Sequence, residues 1–509
     1  MSGDYSLARA RTSLLHFGAG KLVSAVTGLA VLLLTIRLAP ADAFGAYVTV
    51  MAITEIFYLV SGLGLSYFVQ RYVPELRIRA PDSQFRRQLW RLLLWRGALA
   101  LAFALPLCLL FPWWGRWLEL PVSLALTLLI GGGVVLGSLM RYFDELLQSL
   151  LLQGWVQIQT VLRNCLRLLM LAIAWRGLLM LNLSLLVAIE VLVAAAAVLG
   201  ACWMQASYLR RPREPSAATS TTEHLMPDAW SQSLRFYAAQ VLGQAYSGNA
   251  IKLVVNAVAG LQGAAVFGFA YSITGILRTY SPAFLLGGWV RPLMVSRFVQ
   301  RGHADDLKPI TRLVVSLSLV GLLPFLLVFF VFGSEIAALF GKGRYPDGAT
   351  LLAPMVAVVC LQAVHAVLGM VCAAVERTNY VLMATTVCLV SLPIAYAFTR
   401  FAGLPGAVAA LLLGEVMWIG TVLALLAHRL RQRGFANLGG LARAAALAAA
   451  VGLALWAAHL RWSMHLTYQW LAAATLASLL YWGLAFLSGI FGSAEQTLIR
   501  RFLARKAGP

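Results

Sequence analysis

Stretches of about 20 apolar residues recur along the whole chain, and they limit its possible folds more than any other feature. Each stretch is long enough to cross ~30 Å of hydrocarbon as an α-helix. The stretches lack the ten-residue alternation of barrel strands. Hydrophobic residues make up 61% of the 509 positions and charged residues only 12%, which is outside the range of soluble domains. The sequence therefore predicts an all-α polytopic membrane protein.

Hydropathy, interrupted at charged or Pro/Gly clusters, predicts about fourteen transmembrane helices. The first apolar stretch is too long for a signal peptide and contains Lys21, so we interpret it as a span. The predicted spans cover residues 14–38, 46–69, 92–112, 118–140, 154–175, 184–208, 235–257, 264–290, 312–332, 350–373, 380–399, 406–427, 441–459 and 468–491.

Lysine and arginine are distributed unevenly between the two sides that these spans define. With a cytoplasmic N-terminus, 26 fall in cytoplasmic segments, 6 in periplasmic segments and 8 inside spans, which accounts for all 40. The positive-inside rule then predicts that both termini are cytoplasmic. The net charge of +21 is a topology signal, and without a soluble basic domain we expect no nucleic-acid partner.

The chain reads as two similar halves joined by a polar linker. Phe44-Gly45 and Phe267-Gly268 open the second span of each half at an offset of 223 residues. Both copies run in the same direction, which predicts a parallel pseudo-repeat about the membrane normal. We predict a first lobe over 1–209 (spans one to six), a cytoplasmic linker over 210–233, a second lobe over 234–435 (spans seven to twelve), and spans thirteen and fourteen with a cytoplasmic tail over 436–509.

Basic side chains inside the predicted spans are the main functional signal. Arg37, Arg96 and Arg235 lie near span ends, where a long side chain can reach the interface. Arg163, Arg167 and Arg278 lie near mid-span, where that is hardest. Polar stripes accompany the basic residues at helical spacing. They comprise Phe17, Lys21, Ser24 and Gly28; Gln153, Gln157, Thr160, Asn164 and Arg167; Gln244, Gly248, Lys252 and Asn256; and Tyr271, Thr274, Gly275, Arg278 and Pro282.

Only three acidic residues, Glu55, Glu190 and Glu415, fall inside the predicted spans. In one interpretation of these charges, the acids and bases pair with one another and hold the helices together. The excess of bases supports a second interpretation, a cationic cavity for an anion such as a diphosphate. We predict that its residues are Lys21, Lys252, Arg278, Arg163, Arg167, Gln244 and Asn256.

Catalytic and cofactor patterns are absent from the sequence. The seven histidines and six cysteines show no metal spacing, and no P-loop or hydrolase motif occurs. We expect a transporter that is not an enzyme and needs no cofactor, metal or disulfide.

Several motifs resemble a known family. They are "TIRLAPADAFGAYVTVMAITEIFYLVSGLGLSYFVQRYVPE" at 35–75, the second Phe-Gly at 267, and "ALFGKGRYPDGA" at 338–349. Together they resemble Wzx-type oligosaccharide flippases of the polysaccharide transporter family, in the MOP superfamily with MATE exporters and the lipid II flippase MurJ.

The resemblance implies two six-helix lobes around a central cavity that alternates between inward-open and outward-open states. The implied cargo is an undecaprenyl-diphosphate-linked oligosaccharide, flipped to the periplasmic leaflet for O-antigen or exopolysaccharide assembly. The implied partners are membrane lipids, a polysaccharide polymerase and a chain-length regulator, and the implied location is a bacterial inner membrane. Any ion coupling would use Glu55, Glu190 or Glu415. A MurJ-like lipid II flippase, a MATE-like drug or ion antiporter, and a scaffold within a polysaccharide assembly complex are the alternatives.

Overall fold

The structure, a computed structural model, is helical throughout the part of the chain that it describes. Described residues are 7–79, 81–150, 152–177, 180–210, 226–301, 303–375, 377–429, 437–462, 467–491 and 496. No β-strand occurs among them. The helices are α1 (Leu7–Leu38), α2 (Ala41–Val60), α3 (Leu65–Arg79), α4 (Asp82–Leu109), α5 (Phe111–Trp117), α6 (Leu124–Ser149), α7 (Gln153–Trp175), α8 (Leu183–Arg210), α9 (Met226–Gln244), α10 (Gly248–Tyr280), α11 (Pro282–Leu285), α12 (Gly287–Arg301), α13 (Lys308–Val331), α14 (Gly333–Gly341), α15 (Gly348–Ala374), α16 (Thr378–Val387), α17 (Ser391–Arg429), α18 (Leu438–Trp462) and α19 (Thr467–Leu487).

Twelve helical segments in this part of the chain are long and apolar enough to cross a membrane. Two of them, Ser233–Tyr280 with 48 residues and Thr378–His428 with 51, exceed twice the length that one crossing needs. Each is interrupted by a glycine with positive φ, Gly260 (67°) or Gly403 (64°), where an L side chain would be strained. Counting both as pairs of spans gives fourteen crossings, as the sequence predicts, in a multi-pass membrane protein.

The predicted internal repeat is visible in the order of the helices. After its first span, each half has a 20-residue apolar segment, α2 or residues 261–280 of α10, and then a 15-residue basic helix, α3 or α12. Each half continues with a long helix, a short helix of 7 or 9 residues and another long helix, namely α4–α6 or α13–α15. The two halves therefore share one folding plan.

The first half begins with one unbroken helix, whereas its counterpart in the second half is broken. The predicted seventh span, 235–257, consists of the end of α9, a break at residues 245–247 and the start of α10. The predicted eighth span, 264–290, is also interrupted, because α10 ends at Tyr280. Ser281 is extended (ψ 147°), as expected of a residue before a proline, here Pro282.

Chain contacts divide the molecule into two compact units. The first unit contains Met1–Gln244 and Gly260–Ala265, and the second contains Ala245–Ala259 and Val266–Pro509. In the first unit α6 packs against α2, α3, α4 and α8. In the second, α15 packs against α12, α13, α14 and α17, and the pair α18 and α19 packs on α13. The predicted lobe boundaries remain predictions, and residues 211–225 of the predicted linker lie outside the described residues.

Candidate functional site

In the first unit, the predicted polar faces of α1 and α7 pack against each other. The Asn164 side-chain amide donates to the carbonyl of Ser24 (3.3 Å) and to the hydroxyl of Thr27 (3.1 Å). Ser24 also donates to Gln157 (3.5 Å). A Cβ on Gly20 would lie 2.6 Å from Cβ of Gln157, so glycine permits this close approach. These polar groups satisfy one another within the hydrocarbon depth, as membrane helices require.

Arg167 forms a bidentate ion pair with Glu190 of α8. Its Nη2 lies 2.7 Å from one carboxylate oxygen, and its Nε lies 3.0 and 3.1 Å from the two oxygens. The Tyr47 hydroxyl donates to the same carboxylate at 3.0 Å, and Asn164 accepts from Arg167 at 3.3 Å. Arg167, Glu190 and Tyr47 line a pocket with room for about one water molecule. This fork geometry is the strongest ion-pair arrangement available to arginine.

Arg163 is also paired with a carboxylate. It donates to Asp144 at 3.0 and 3.5 Å and to Thr160 at 3.1 Å. Asp144 lies within α6, because this helix continues to Ser149 instead of ending near the predicted span border at residue 140. The sequence count of three membrane acids was therefore wrong, since Asp144 and Glu145 both lie on a membrane helix. Pairing offsets the charges of Arg163 and Arg167, and their role as cargo ligands remains a prediction.

Arg96 is not at the membrane interface, where the sequence analysis placed it. It is 1% exposed, and its guanidinium donates to the carbonyls of Tyr58 (2.9 Å) and Ser138 (3.2 Å). Tyr58 lies in the last turn of α2, where backbone carbonyls lack helical partners. A Cβ on Gly62 would lie 2.3 Å from Nη1 of Arg96. The snorkelling prediction was wrong, because Arg96 is buried and donates to backbone carbonyls of α2 and α6 instead of reaching water.

Lys21 and Glu55 complete the predicted residues of this unit. Lys21 is half-buried on α1, one turn before Ser24. Glu55 is exposed on α2. At the repeat offset of 223 residues, Glu55 corresponds to Arg278 in the second half. The same helical position therefore carries opposite charges in the two halves.

In the second unit, Lys252 lies in the second turn of α10, immediately after the helix break. Its ammonium donates to Oδ1 of Asn249 (3.1 Å) and lies 4.4 Å from the ring centre of Tyr271. The Tyr271 ring approaches so closely that a Cβ on Gly248 would lie 2.2 Å from it. Both contacts are made to neutral groups, one of them a cation–π contact. Ser247 caps the helix by accepting from the backbone N–H of Ala250 at 3.3 Å.

Arg278 lies in the last turn of α10 and not near mid-span as the sequence predicted. Its guanidinium carbon is 4.9 Å from the ring centre of Phe284. Across the described ranges, no carboxylate lies within 4 Å of this side chain. One turn earlier, the Cβ position of Gly275 has nothing within 4 Å. Arg278 is therefore a cation beside open space.

The two predicted amides on this polar stripe are separated by the break. Gln244 is the last residue of α9, whereas Asn256 lies on α10 and is 4% exposed. The four-residue spacing from Gln244 to Gly248 consequently does not describe one helical face. Whether Gln244 and Asn256 contact a cargo stays a prediction.

Glu415, the third predicted acid, forms a pair that sequence analysis missed. Its Oε2 is 2.8 Å from Nδ1 of His365. The imidazole of His365 stacks on the indole of Trp418, with ring centres 3.5 Å apart and planes 7° apart. The partners lie 50 residues apart on α15 and α17, so no local spacing connects them.

The motif at 338–349 forms a structural turn. Lys342 and Gly343 both have positive φ (51° and 74°) at the end of α14. Tyr345 is buried and stacks on Phe269, with ring centres 5.0 Å apart. Burial raises the pKa of Tyr345 to about 12, so its phenol is neutral at physiological pH. This motif forms and supports the helix junction.

Comparison with solved structures defines the class of this fold. The lipid II flippase MurJ in an inward closed conformation matches with a TM-score of 0.66 and 11% identity, over 95% of this chain and 99% of that one. An inward-facing multidrug resistance MATE family transporter of the MOP superfamily matches with a TM-score of 0.60 and 15% identity, over 82% and 98%. A MOP superfamily transporter from Pyrococcus furiosus, described by a reverse polarity of its binding pocket, gives 0.57 and 15%, over 83% and 96%. The chain thus has the fold of MOP-type membrane transporters.

The sequence match is more particular. Residues 13–286 match the profile of the family described as "Polysaccharide biosynthesis protein", which is more than half of the chain. The protein belongs to this family. A search of curated proteins returned no significant match.

Proposed function

We propose that the protein flips undecaprenyl-diphosphate-linked oligosaccharide repeat units from the cytoplasmic to the periplasmic leaflet of the bacterial inner membrane, for O-antigen or exopolysaccharide assembly. Membership of the polysaccharide biosynthesis family supports a role in that pathway, and the MOP-type fold supports transport. Neither observation identifies the cargo. That part of the proposal rests on the charges of the second unit.

The environment of Arg278 is the observation that supports the cargo assignment most. A charge on a membrane helix is costly unless it is paired or reaches the interface, and the cost is smaller near a helix end, where Arg278 lies. Arg163 and Arg167 offset this cost with carboxylates, but within the described residues Arg278 has only the Phe284 ring close to its guanidinium. A diphosphate would supply the missing anion, and at an effective dielectric of about 20 one charge pair at ~4 Å contributes about 4 kcal/mol.

Lys252 supports the same assignment. The N-terminus of α10 follows the break at residues 245–247, so partial positive charge from its backbone N–H groups adds to the ammonium. A discontinuous membrane helix is where transporters commonly place an anionic ligand group. We propose Lys252 and Arg278 as the principal cargo ligands, with Lys21, Gln244 and Asn256 as further candidates.

The membrane potential favours the proposed direction of transport. A diphosphate leaving a negative interior gains roughly 2.3 kcal/mol per uncompensated charge per 100 mV. The cationic side chains lower the cost of removing the diphosphate from water. No nucleotide-binding motif is required for this movement.

The test measures lipid-linked oligosaccharide diphosphate in each leaflet of host membranes after depletion of the protein. Wild-type protein should relieve accumulation in the cytoplasmic leaflet, Arg278→Lys should relieve it in part, and Arg278→Ala should fail. Arg291→Ala on α12 is the matched control, because Arg291 is exposed and lies outside the candidate spans.

Other outcomes identify the alternatives. Accumulation of lipid II would indicate a lipid II flippase. A change in drug sensitivity without lipid accumulation would indicate a MATE-like exporter, although such a pocket is expected to be acidic and aromatic. Normal assembly with both Arg278 variants would indicate a scaffold role. We also propose that the protein contacts a polysaccharide polymerase or a chain-length regulator. We further propose that both of its termini are cytoplasmic.

A further inference from the structure

The outer face of α4 carries two arginines that the proposed cargo site does not use. Arg87 and Arg91 lie one helical turn apart, and Trp95 continues the same line one turn later. All three side chains are exposed, whereas Phe85 and Leu89 of the same helix are buried. The arginines therefore face away from the helices against which α4 packs.

The length of α4 places these arginines at the border of the membrane. The helix has 28 residues, about 42 Å at ~1.5 Å per residue, whereas the hydrocarbon is ~30 Å thick. Its last 20 residues, 90–109, are mostly apolar, and the polar residues precede them. Arg91 therefore lies at the depth of the lipid headgroups, with Arg87 one turn outside it and Trp95 one turn inside.

A second indole lies beside Trp95. The ring centre of Trp230 on α9 is 6.1 Å from that of Trp95, and the two planes are 30° apart. Trp230 also stacks on Phe68 of α3, with ring centres 5.5 Å apart. The Tyr237 hydroxyl fixes α9 further by donating to the carbonyl of Val60 at 2.7 Å. Trp95 and Trp230 thus form an aromatic wall that is held in place by packing.

We propose that α4 and α9 form a binding site for one anionic phospholipid. Arg87 and Arg91 hold its phosphate, and its acyl chains lie against the aromatic wall. All residues of this site belong to the first compact unit. The site does not depend on the proposed function, whose principal cargo ligands Lys252 and Arg278 lie in the second unit.

The guanidiniums supply the recognition of phosphate. Arginine presents a planar fork of donors that matches phosphate oxygens in a bidentate manner. The described ion pairs of the neighbouring helices are Arg71–Glu75 on α3 and Arg141–Glu145 on α6, and neither includes Arg87 or Arg91. A lipid phosphate would therefore not have to displace a described carboxylate.

The apolar side chains of the two helices decide between a lipid and a soluble acidic partner. Leu94 on α4 has 69% of its surface exposed, and Leu234, one turn after Trp230 on α9, has 49% exposed. Both lie on the hydrocarbon side of the arginines, where a soluble partner does not reach. Indoles favour the same border, because one end of the ring system is apolar and the other is a hydrogen-bond donor. A phospholipid contacts both the arginines and the leucines.

Binding can be measured by native mass spectrometry of the purified full-length protein titrated with phosphatidylglycerol or with zwitterionic phosphatidylethanolamine. The wild type should retain phosphatidylglycerol in preference. The double variant Arg87→Gln/Arg91→Gln should bind it at least about tenfold more weakly, since each arginine near an anionic surface strengthens binding about fivefold. Equal retention of the two lipids by the wild type would overturn the proposal.

A matched double variant separates a defined site from diffuse attraction to a basic surface. Arg71→Gln/Arg291→Gln removes the same charge from two other exposed arginines, on α3 and α12, and should change binding less than about twofold. Equal weakening in the two double variants would overturn the site. Arg87→Lys/Arg91→Lys keeps the charge and loses the fork, so it should retain most of the binding.

Trp95→Leu tests the aromatic wall without changing any charge. Leucine keeps an apolar side chain but removes the indole and its N–H, so phosphatidylglycerol should bind about threefold more weakly. Trp113→Leu is the control, because Trp113 is an exposed tryptophan on α5. Unchanged binding in Trp95→Leu would contradict the groove between α4 and α9 as the site. Size-exclusion chromatography in detergent reports the folding of each variant.

Undecaprenyl diphosphate carries the same phosphate chemistry and is added as a competitor. Phosphatidylglycerol that stays bound to the wild type at equal concentrations of the two lipids supports the proposal. Undecaprenyl diphosphate that replaces it in the wild type, but does not bind to Arg87→Gln/Arg91→Gln, would overturn a phospholipid as the ligand and assign the site to the cargo. Arg278→Ala should still retain phosphatidylglycerol, so the failure of the proposed function and the failure of this site are distinguishable.

Discussion

At the residue scale, the basic side chains of the membrane helices have two different environments. Arg163 and Arg167 contact carboxylates at 3.0 and 2.7 Å, and Arg96 contacts backbone carbonyls. Arg278 of α10 instead lies against the ring of Phe284. Because an aromatic face compensates a cation less than a carboxylate does, the second environment is the better candidate for binding an external anion.

Arg96→Lys should destabilise the protein although it preserves the charge. The guanidinium donates to Tyr58 from Nη2 and to Ser138 from Nε, and a lysine replaces this planar fork with one ammonium nitrogen. A hydrogen bond from a charged group contributes about 1.5–3 kcal/mol, so loss of one should lower the melting temperature in detergent by several degrees. Arg91→Lys on the same helix is the control, because Arg91 is exposed. Equal melting temperatures for the two variants would contradict the assigned role of Arg96.

Arg167→Met should be more harmful alone than in combination with Glu190→Gln. The single change leaves a half-buried carboxylate without its main partner, at a cost of up to roughly 3–5 kcal/mol. Glutamine at 190 removes that charge and still accepts from Tyr47. Thermal unfolding followed by size-exclusion chromatography should show recovery of more than half of the loss. If the second change restores no stability, Arg167 and Glu190 do not act as a unit. In a separate flipping assay, normal transport by the double variant would exclude Arg167 as a cargo ligand.

At the scale of helices, sequence patterns predicted the features that depend on local hydropathy. The fourteen crossings and the repeated Phe-Gly junctions were both recovered. The extension of α6 to Ser149 was not, because Asp144 and Glu145 lower local hydropathy although ion pairs allow them to remain in the helix. The break at 245–247 was missed because Ala, Tyr and Ser do not interrupt a helix by themselves. The His365–Glu415 pair depends on the packing of α15 on α17, which no spacing reveals.

Gly45→Ala should weaken the junction at which α2 packs in the first unit. A Cβ on Gly45 would lie 2.0 Å from the carbonyl oxygen of Leu261 and 3.2 Å from the backbone N of Ala265. Backbone atoms cannot yield as a side chain can, so overpacking should cost about 1–3 kcal/mol. Gly200→Ala on α8 is the control, since its Cβ position has nothing within 4 Å and alanine favours helix by about 1 kcal/mol. Equal changes in melting temperature in the two variants would contradict the close approach at Gly45 as the cause of the effect.

At the scale of the whole molecule, the repeated folding plan carries different chemistry in its two halves. The first half is continuous at α1 and pairs Arg163 and Arg167 with carboxylates. The second half is broken between α9 and α10, and it carries Lys252, Arg278 and the His365–Glu415 pair. Because the order of helices is similar in both halves, this asymmetry arises from side chains and from one break, not from a different folding plan.

The shared direction of the two halves leads to a topology prediction for the whole chain. Ser83, at the start of α4, should face the cytoplasm, and Val122, between α5 and α6, should face the periplasm, because the arginines cluster on the side of Ser83. Ser83→Cys should react with a membrane-impermeant maleimide only in inside-out vesicles, and Val122→Cys only in right-side-out vesicles. The wild-type protein is the blank, since all six of its cysteines lie in candidate membrane helices. Labelling of both positions from one side would contradict a membrane crossing between them. The reverse pattern of labelling would place the basic segments outside and reverse the proposed direction of transport.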